Sequence, residues 1–331
     1  MKEEDIRPDT IFNDYLLLAE KDFETYFRDV PYYFGSCPAC GNKNGELAFR
    51  KMGFDYEECP ECGTLFVNPR PYEEAFCRYY EDSPSVRYWA THFYKQTETS
   101  RRERLIKPKA RMVKDSIDKY SKTPSEESCI IDIGAGYGVF CEEIQQLLPD
   151  NVLVIGIEPA KALQEVCQNK EICIIPKFFE DVATEDLKGK RIKIATSFEL
   201  LEHLHNPGEF IKKCSELLNK DALLFLTTLT WDGFDLQILR EKSRSIYPPF
   251  HINFFTKKGI TILLEKWSFE ICNLETPGKL DVDIVSKMKH EIKDPFIQLL
   301  LSQNDDVTMK FQTFLQEAKL SSHMMIVAKR K

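Results

Sequence analysis

The sequence predicts an α/β fold: a seven-stranded sheet with helices on both faces, joined to a small cysteine-rich module and to helical additions. Three observations carry this. Short apolar segments alternate with helical patterns from Cys129 to the end of the chain. A glycine-rich turn, Gly134-Ala135-Gly136-Tyr137-Gly138, directly follows the first of these apolar segments. Four cysteines stand apart as two Cys-x-x-Cys pairs near the beginning.

The 331 residues suit two folded units or one large domain with additions, and 43% hydrophobic with 30% charged residues is the mix of a soluble globular protein. The first seven residues are charged and lack the apolar run of a secretory signal. The longest apolar stretch, residues 222–229, is far short of the roughly 20 residues that span a bilayer. A cytoplasmic protein without a membrane partner is expected. Net charge is −8 with no long basic run, which argues against nucleic acid as a partner. Of the eleven cysteines, Cys77, Cys129, Cys141, Cys167, Cys173, Cys214 and Cys272 are scattered, and in a reducing compartment they read as small buried hydrophobes.

Residues 1–30 form an amphipathic helix with Ile11, Tyr15, Leu18 and Phe23 on its inner face. Residues 31–70 hold the cysteine pairs. Residues 71–125 make a helical connector, a possible substrate cap, with a basic stretch at 101–114, and the polar segment 121–128 reads as a linker. The sheet domain covers residues 126–331, with strands at 130–133, 151–157, 172–178, 191–197, 222–230, 268–274 and 323–329. Helices at 140–148, 160–169, 208–218 and 256–267 lie between them, so the strands should pair in parallel. The long gap before the last strand predicts a helical insertion near 280–320. The chain has no internal repeat and no low-complexity tract.

In the cysteine module, Cys37-Pro-Ala-Cys40-Gly and Cys59-Pro-Glu-Cys62-Gly are separated by eighteen residues. Two such knuckles place four thiolates around one tetrahedral Zn²⁺, with a rubredoxin-like iron site as the competitor. Four cysteines close the coordination shell, so the zinc is structural rather than catalytic. The near-balanced, slightly acidic surroundings favour a stabilising ribbon over a docking surface for nucleic acid. A core separate from that of the sheet domain is expected for it.

The glycine turn carries the cofactor argument. Its glycines let the backbone turn sharply and approach a ligand, with helix amides pointing at it. The spacing is G-x-G-x-G, unlike the dinucleotide fingerprint. Asp132, two residues before Gly134, can accept from the ammonium of an amino-acid-like ligand. Glu158, followed by Pro159, ends the second strand, where it can accept from both hydroxyls of a ribose. Residues 132–138 with Glu158 resemble motif I and the ribose acid of class I S-adenosylmethionine (SAM)-dependent methyltransferases. Residues 198–207, with Glu202-His203 before Pro207, resemble the segment that follows strand four in such enzymes. With the cysteine module, and with residues 250–256 and 276–283 as further signatures, the chain resembles zinc-ribbon methyltransferases of surface-polysaccharide and deoxysugar pathways.

That resemblance implies a Rossmann-like methyltransferase sheet, SAM as cofactor and a structural zinc. It assigns Asp132, Gly134, Ala135, Gly136 and Gly138 to the methionine part, and Glu158 with Pro159 to the ribose. Phe179 and Glu180 fall beside adenine, and Phe198 and Glu199 close over the cofactor. The implied acceptor is a small molecule, a sugar or nucleotide-linked glycan precursor. A protein or RNA methyltransferase docked by its ribbon, and an inactive SAM-binding scaffold, are the competing readings.

Methyl transfer needs a positioned acceptor and a group to take its proton. His203, beside Glu202 at the carboxyl end of strand four, is the first candidate for that base, and His251 in the loop after strand five is the second. His205, His92, His290 and His323 read as packing or surface residues. Tyr79, Tyr80, Tyr88 and Trp89 form either a stacking wall for a sugar or part of the core. The basic stretch 101–114 reads as a solvated helix face or as a contact for a diphosphate.

Overall fold

The computed structural model describes residues 2–121, 124 and 127–331; of the expected linker, residues 122, 123, 125 and 126 lie outside the described residues. Helix α1 (Asp9–Tyr26) opens the fold. Its buried face is Phe12, Tyr15, Ala19 and Asp22 rather than the series through Ile11, Leu18 and Phe23, with Tyr15 the shared member. Phe12 takes the inner position because it packs edge-on against Tyr247, at 6.0 Å, and tilted on Phe93, at 6.1 Å.

The cysteine module contains β1 (Tyr32–Tyr33), β2 (Glu46–Lys51), β3 (Phe54–Glu58), β4 (Leu65–Val67) and β5 (Arg70–Pro71). Strands β2 and β3 join through Met52 and Gly53, both at positive φ (47° and 83°), the two-residue turn whose twist suits a hairpin. The connector is α2 (Glu73–Asp82), α3 (Pro84–Tyr88), α4 (Tyr94–Arg101) and α5 (Lys107–Tyr120), with wider π turns at Trp89–Phe93 and Arg102–Ile106.

The sheet domain follows as β6 (Ser128–Ile133), α6 (Val139–Gln145), β7 (Leu153–Ile157), α7 (Lys161–Asn169), β8 (Cys173–Ile175), β9 (Arg191–Phe198), α8 (Pro207–Leu217) and β10 (Leu223–Leu229). It continues with α9 (Phe234–Leu239), β11 (Asn253–Phe254), α10 (Lys257–Lys266), β12 (Phe269–Glu275), the insertion helices α11 (Asp281–Lys287), α12 (Pro295–Leu301) and α13 (Asp305–Glu317), and β13 (His323–Arg330). Seven strands form one sheet in the order β12-β13-β10-β9-β6-β7-β8. All seven expected strands are present. Their pairing departs from a purely parallel sheet: β13 runs antiparallel to both β10 and β12. A strand buried on both faces has the same apolar run in either direction, so the sequence does not reveal this reversal.

The cysteine module does not keep a core of its own. Strand β11 pairs with β4, Asn253 opposite Phe66, which makes a four-stranded sheet in the order β11-β4-β3-β2. Cys37, Cys59, Cys62 and Phe66 belong to the same buried cluster as Phe255, Ile260 and the inner side chains of the large sheet. Among the scattered cysteines, Cys129, Cys141, Cys167 and Cys214 are buried as expected, whereas Cys77 is exposed on α2. Among the described residues no helix is long and apolar enough to cross a membrane.

The insertion is anchored by an acid pair. Asp281 accepts from the Ser322 amide (2.7 Å), the Ser321 hydroxyl (2.6 Å) and Gln312 (2.8 Å). Asp235 is 1% exposed, and burial, then the neighbouring Asp281 charge, push its pKa from 3.8 to about 8. Folded Asp235 therefore keeps a proton that the unfolded chain loses above its ordinary value. The stability this group contributes is complete below pH 3.8 and is lost as pH rises towards about 8. Asp235→Asn should raise the urea midpoint more at about pH 8.5 than at about pH 5.5. Equal shifts at the two pH values would show that Asp235 is ionised in the fold.

Candidate active site

Strand β6 ends against the glycine turn. Asp132 is 3% exposed and accepts from the Thr196 hydroxyl of β9 at 2.6 Å; burial pushes its pKa to about 6. Gly134, Gly136 and Gly138 sit at φ 76°, 56° and 68°, a region costly for other residues. At Gly138 an added Cβ would also lie 2.2 Å from the Ile172 Cδ1 methyl, which would have to turn aside. A Cβ on Gly136, by contrast, would meet open space. The amides of Gly134 and Ala135 donate to the Ile157 carbonyl (3.0 and 3.1 Å) and tie the turn to the end of β7.

Glu158 stands at that end and is 6% exposed. Its carboxylate accepts from the Gly136 and Ala160 amides, each at 2.9 Å. Burial raises its pKa to about 7 against the pull of those amides. Pro159 follows, its carbonyl accepting from Gln164 at 2.9 Å. The chemistry of this set suits an amino-acid-like nucleoside: Asp132 and the glycine turn stand at the end of β6, and the Glu158 carboxylate, an acceptor for N–H and O–H groups, at the end of β7. The connector covers the turn, with Tyr94 stacked on Tyr137 at 4.3 Å.

At the end of β9, Phe198 lies edge-on to Phe140 (4.7 Å), with the Lys109 ammonium 4.5 Å above its ring. Glu199, at φ 51°, accepts from Lys109 (3.3 Å), Thr227 (2.6 Å) and His323 (2.7 Å). Burial alone would raise Glu199, but His323 and Lys109 outweigh it and hold the group well below the usual carboxylate range. Phe179 is turned into the core against Phe210 (5.3 Å) while Glu180 beside it is exposed. Packing thus accounts for Phe179.

One turn beyond Glu199, the structure brings Glu202, His203 and His251 together, with one ligand-type atom from each lying within 4.8 Å of the others. His203 donates from Nδ1 to the Phe250 carbonyl (2.8 Å), and His251 from Nδ1 to the Ser245 carbonyl (2.6 Å). A carbonyl only accepts, so each ring keeps its Nδ1 proton and presents Nε2 as an acceptor. Burial pushes His203 down to about 4; burial and the His203 charge hold His251 well below its usual value. Glu202 is 1% exposed and accepts from Thr228 (2.8 Å), and burial followed by the Glu199 charge raises it to about 8. Near neutrality the cluster is two neutral imidazoles and a protonated carboxyl, an arrangement able to accept one proton or to hold one cation.

Around it, Tyr247 lies 4.4 Å from the His251 ring and Phe250 4.2 Å from the His203 ring. Of the expected aromatic wall, Tyr79 is core, and Tyr88 stacks on His92 (5.0 Å). Tyr80 (6.0 Å) and Trp89 (6.2 Å) face Phe250. Lys109, Thr227 and His323 were not visible as site residues, because each reaches Glu199 from a distant element. His205 is a packing residue that bonds the Pro71 carbonyl (3.0 Å).

Away from this cluster, the four module sulfurs lie within 4.8 Å of one another, with Cys37–Cys62 and Cys40–Cys59 at 3.5 Å. A tetrahedral zinc with Zn–S near 2.3 Å sets its sulfurs about 3.8 Å apart, so this donor set fits one ion. Gly41 and Gly63, at φ 80° and 73°, close the two knuckles.

Residues 101–274, just over half of the chain, match the model of a family described as a methyltransferase domain. The ubiquinone biosynthesis O-methyltransferase of Bartonella quintana (strain Toulouse) is 29% identical over 128 residues, 37% of this chain and 50% of that protein. Its counterpart from Glaesserella parasuis serovar 5 (strain SH0165) is 32% identical over 108 residues, 30% of this chain and 44% of that protein. The chain spans about half the length of the curated relatives it matches. Among solved structures, the plantazolicin methyltransferase BpumL in complex with SAH aligns over 77% of this chain and 93% of that one, at TM-score 0.50 and 17% identity. The same enzyme with a monoazolic desmethylPZN analog and SAH gives TM-score 0.51 at 15% identity, covering 77% and 94%. These two show a shared fold.

The raised Glu202 predicts a carboxyl that titrates near pH 8. In protein carrying carbon-13 glutamate, one side-chain resonance should move with that midpoint and be missing from Glu202→Gln. If the titrating set were unchanged in that variant, Glu202 would be an ordinary acid.

Proposed function

Because the chain belongs to the methyltransferase-domain family, we propose that it moves a methyl group from SAM to an oxygen of a small-molecule acceptor. The observation that carries this is the convergence of a glycine turn and ribose-type acid, at the ends of β6 and β7, with the His203–His251 pair beyond β9. Open α/β sheets bind ligands at these strand ends. Oxygen as the acceptor atom draws on relatives named O-methyltransferase. The finer reading of the acceptor is a sugar or nucleotide-linked glycan precursor, for which Tyr80, Trp89 and Phe250 offer aromatic faces.

SAM supplies an electrophilic methyl group for in-line displacement. Asp132 and the backbone of residues 134–138 hold its amino-acid end, and Glu158 its ribose. Phe198 covers the cofactor, kept in place by Phe140 and Lys109. His203 Nε2 takes the acceptor proton. A pKa near 4 is adequate for that, because the hydroxyl becomes strongly acidic as its oxygen forms the new bond. His251, fixed by Ser245 and Tyr247, orients the acceptor. Protonated Glu202 keeps a second negative charge away from Glu199. In the ribbon, Cys37, Cys40, Cys59 and Cys62 hold a structural zinc.

His203→Ala should leave SAM affinity nearly intact while the methylation rate falls roughly 10²–10⁴-fold. His251→Ala should be milder. If His203→Ala turns over within a few-fold of the parent, another group takes the proton. Chelation that abolishes turnover, with recovery on adding magnesium or manganese but not zinc, would make Glu202, His203 and His251 a metal site instead. Glu158→Ala should weaken SAM binding by about 1.5–3 kcal/mol in a calorimetric titration, and unchanged affinity would move the ribose elsewhere.

Elemental analysis should find about one zinc per chain. Because the ribbon shares the sheet's core, Cys37→Ser should lower the stability of the whole chain in a single unfolding transition. Two resolved transitions, with the ribbon melting first, would contradict that coupling.

A further inference from the structure

Several polar groups above the His203–His251 pair are buried without a protein partner. Among the described residues these include Nε of Arg7, Nε of Arg101 and the Tyr80 hydroxyl. Arg101 is the extreme case. In the basic stretch, Arg102, Arg104, Lys107, Lys109 and Lys114 each face a carboxylate, and Arg111 is exposed to water. Arg101 has only the Tyr94 ring, 5.6 Å from its guanidinium carbon. Arg7 has one ion pair, to Glu3 at 3.3 Å, and lies 4.8 Å over Phe12. Both arginines are partly buried, and in each the Nε–H is shut off from water without an acceptor; an unmet cationic donor of this kind is costly and marks a place where an anion fits.

These groups converge on the acceptor side of the cluster. Phe12, beneath Arg7, packs against Tyr247, whose ring lies 4.4 Å from His251. Tyr80 faces Phe250, which covers His203. The Arg7 charge is felt at His251, Tyr247 and Arg101, and Arg101 in turn is near Glu199 and Tyr247. Two like charges thus approach each other from separate elements, the segment before α1 and the end of α4. That approach becomes favourable when one anion accepts from both.

We propose that Arg7, Arg101 and the Tyr80 hydroxyl form a subsite for an anionic group of the acceptor, a carboxylate or a phosphoryl, so that the methylated molecule is an acid. The inference rests on the methyltransferase reading and extends it to the substrate's charge. It also makes the N-terminal segment part of the binding site. An anion held there anchors one end of the acceptor while a hydroxyl reaches His203, and the enclosing aromatic rings exclude water from the pair.

The test uses the full chain saturated with S-adenosylhomocysteine (SAH), so that the cofactor's own carboxylate is already in place. Inorganic pyrophosphate and malonate are titrated in separately by calorimetry, and saturable binding of either is expected. Arg101→Gln and Arg7→Gln should each weaken it about tenfold or more, and Tyr80→Phe a few-fold, with SAH affinity unchanged. Arg7→Gln changes a residue outside the helices and Tyr80→Phe removes a single oxygen, so the result does not hang on Arg101 variants folding. If neither anion binds the SAH-loaded protein, or if binding survives both arginine substitutions, the subsite is refuted. If Arg101→Gln instead weakens SAH tenfold, that arginine holds the cofactor's carboxylate and the acceptor assignment fails. Failure of the parent protein to bind SAH at all would count against the methyltransferase reading itself.

Discussion

The geometry of the site depends on the short strand around Asn253. The amides of Ile252 and Asn253 both donate to the Glu202 carbonyl, at 2.9 and 3.1 Å. The Asn253 side chain donates to the Leu204 carbonyl at 2.8 Å and accepts from Arg70 at 2.8 Å. The same strand pairs with β4 of the cysteine module. One peg therefore fixes the turn that carries Glu202 and His203, holds His251 directly before the two anchored amides, and ties both to the cysteine module. Each bond is made in a buried setting, where an unmet partner costs more than the bond contributes.

On that frame, two chemically identical carboxyls three residues apart are driven to opposite states. Glu199 receives Lys109, Thr227 and His323 and stays ionised. Glu202 receives one hydroxyl, is 1% exposed, and faces the Glu199 charge, so it holds its proton. Separating two acids in this way lets one turn present both a fixed negative charge and a neutral donor. The two imidazoles complete the set. With Nδ1 committed to carbonyls and burial keeping them neutral, their Nε2 atoms are acceptors for whatever enters from above.

How much of this was legible follows from where the information lies. The seven strands, the glycine turn and the cysteine knuckles are local patterns, set by apolar runs, positive φ and short ligand spacing, and they could be read directly. The Glu-His pair was legible for the same reason. The partners of Glu199 were not. Lys109 sits in a basic helix and His323 at the start of the last strand, and neither position hints at a residue about 90 or 124 positions away. Ile11 and Phe12 are equally apolar, so the sequence alone does not set the register of α1, and only the packing on Tyr247 selects Phe12. Antiparallel β13 and the shared ribbon core were hidden likewise, since both are facts about pairing between distant segments.

The shared core links the cysteine cluster to a candidate site that it never touches. The four sulfurs cluster where the two knuckles meet, and the second knuckle leads into β4. Strand β4 holds β11, and β11 holds the Glu202 carbonyl and positions His251. Thr256, at the far end of this strap, donates to the Cys62 carbonyl and also caps α10 through the Gly259 amide. A side chain that must sit within a fraction of an ångström of its acceptor is then only as well placed as the knuckles are. The order in the chain, ribbon first and sheet afterwards, hides this dependence. In space the cysteine module is the abutment against which the Glu202–His203 turn is set.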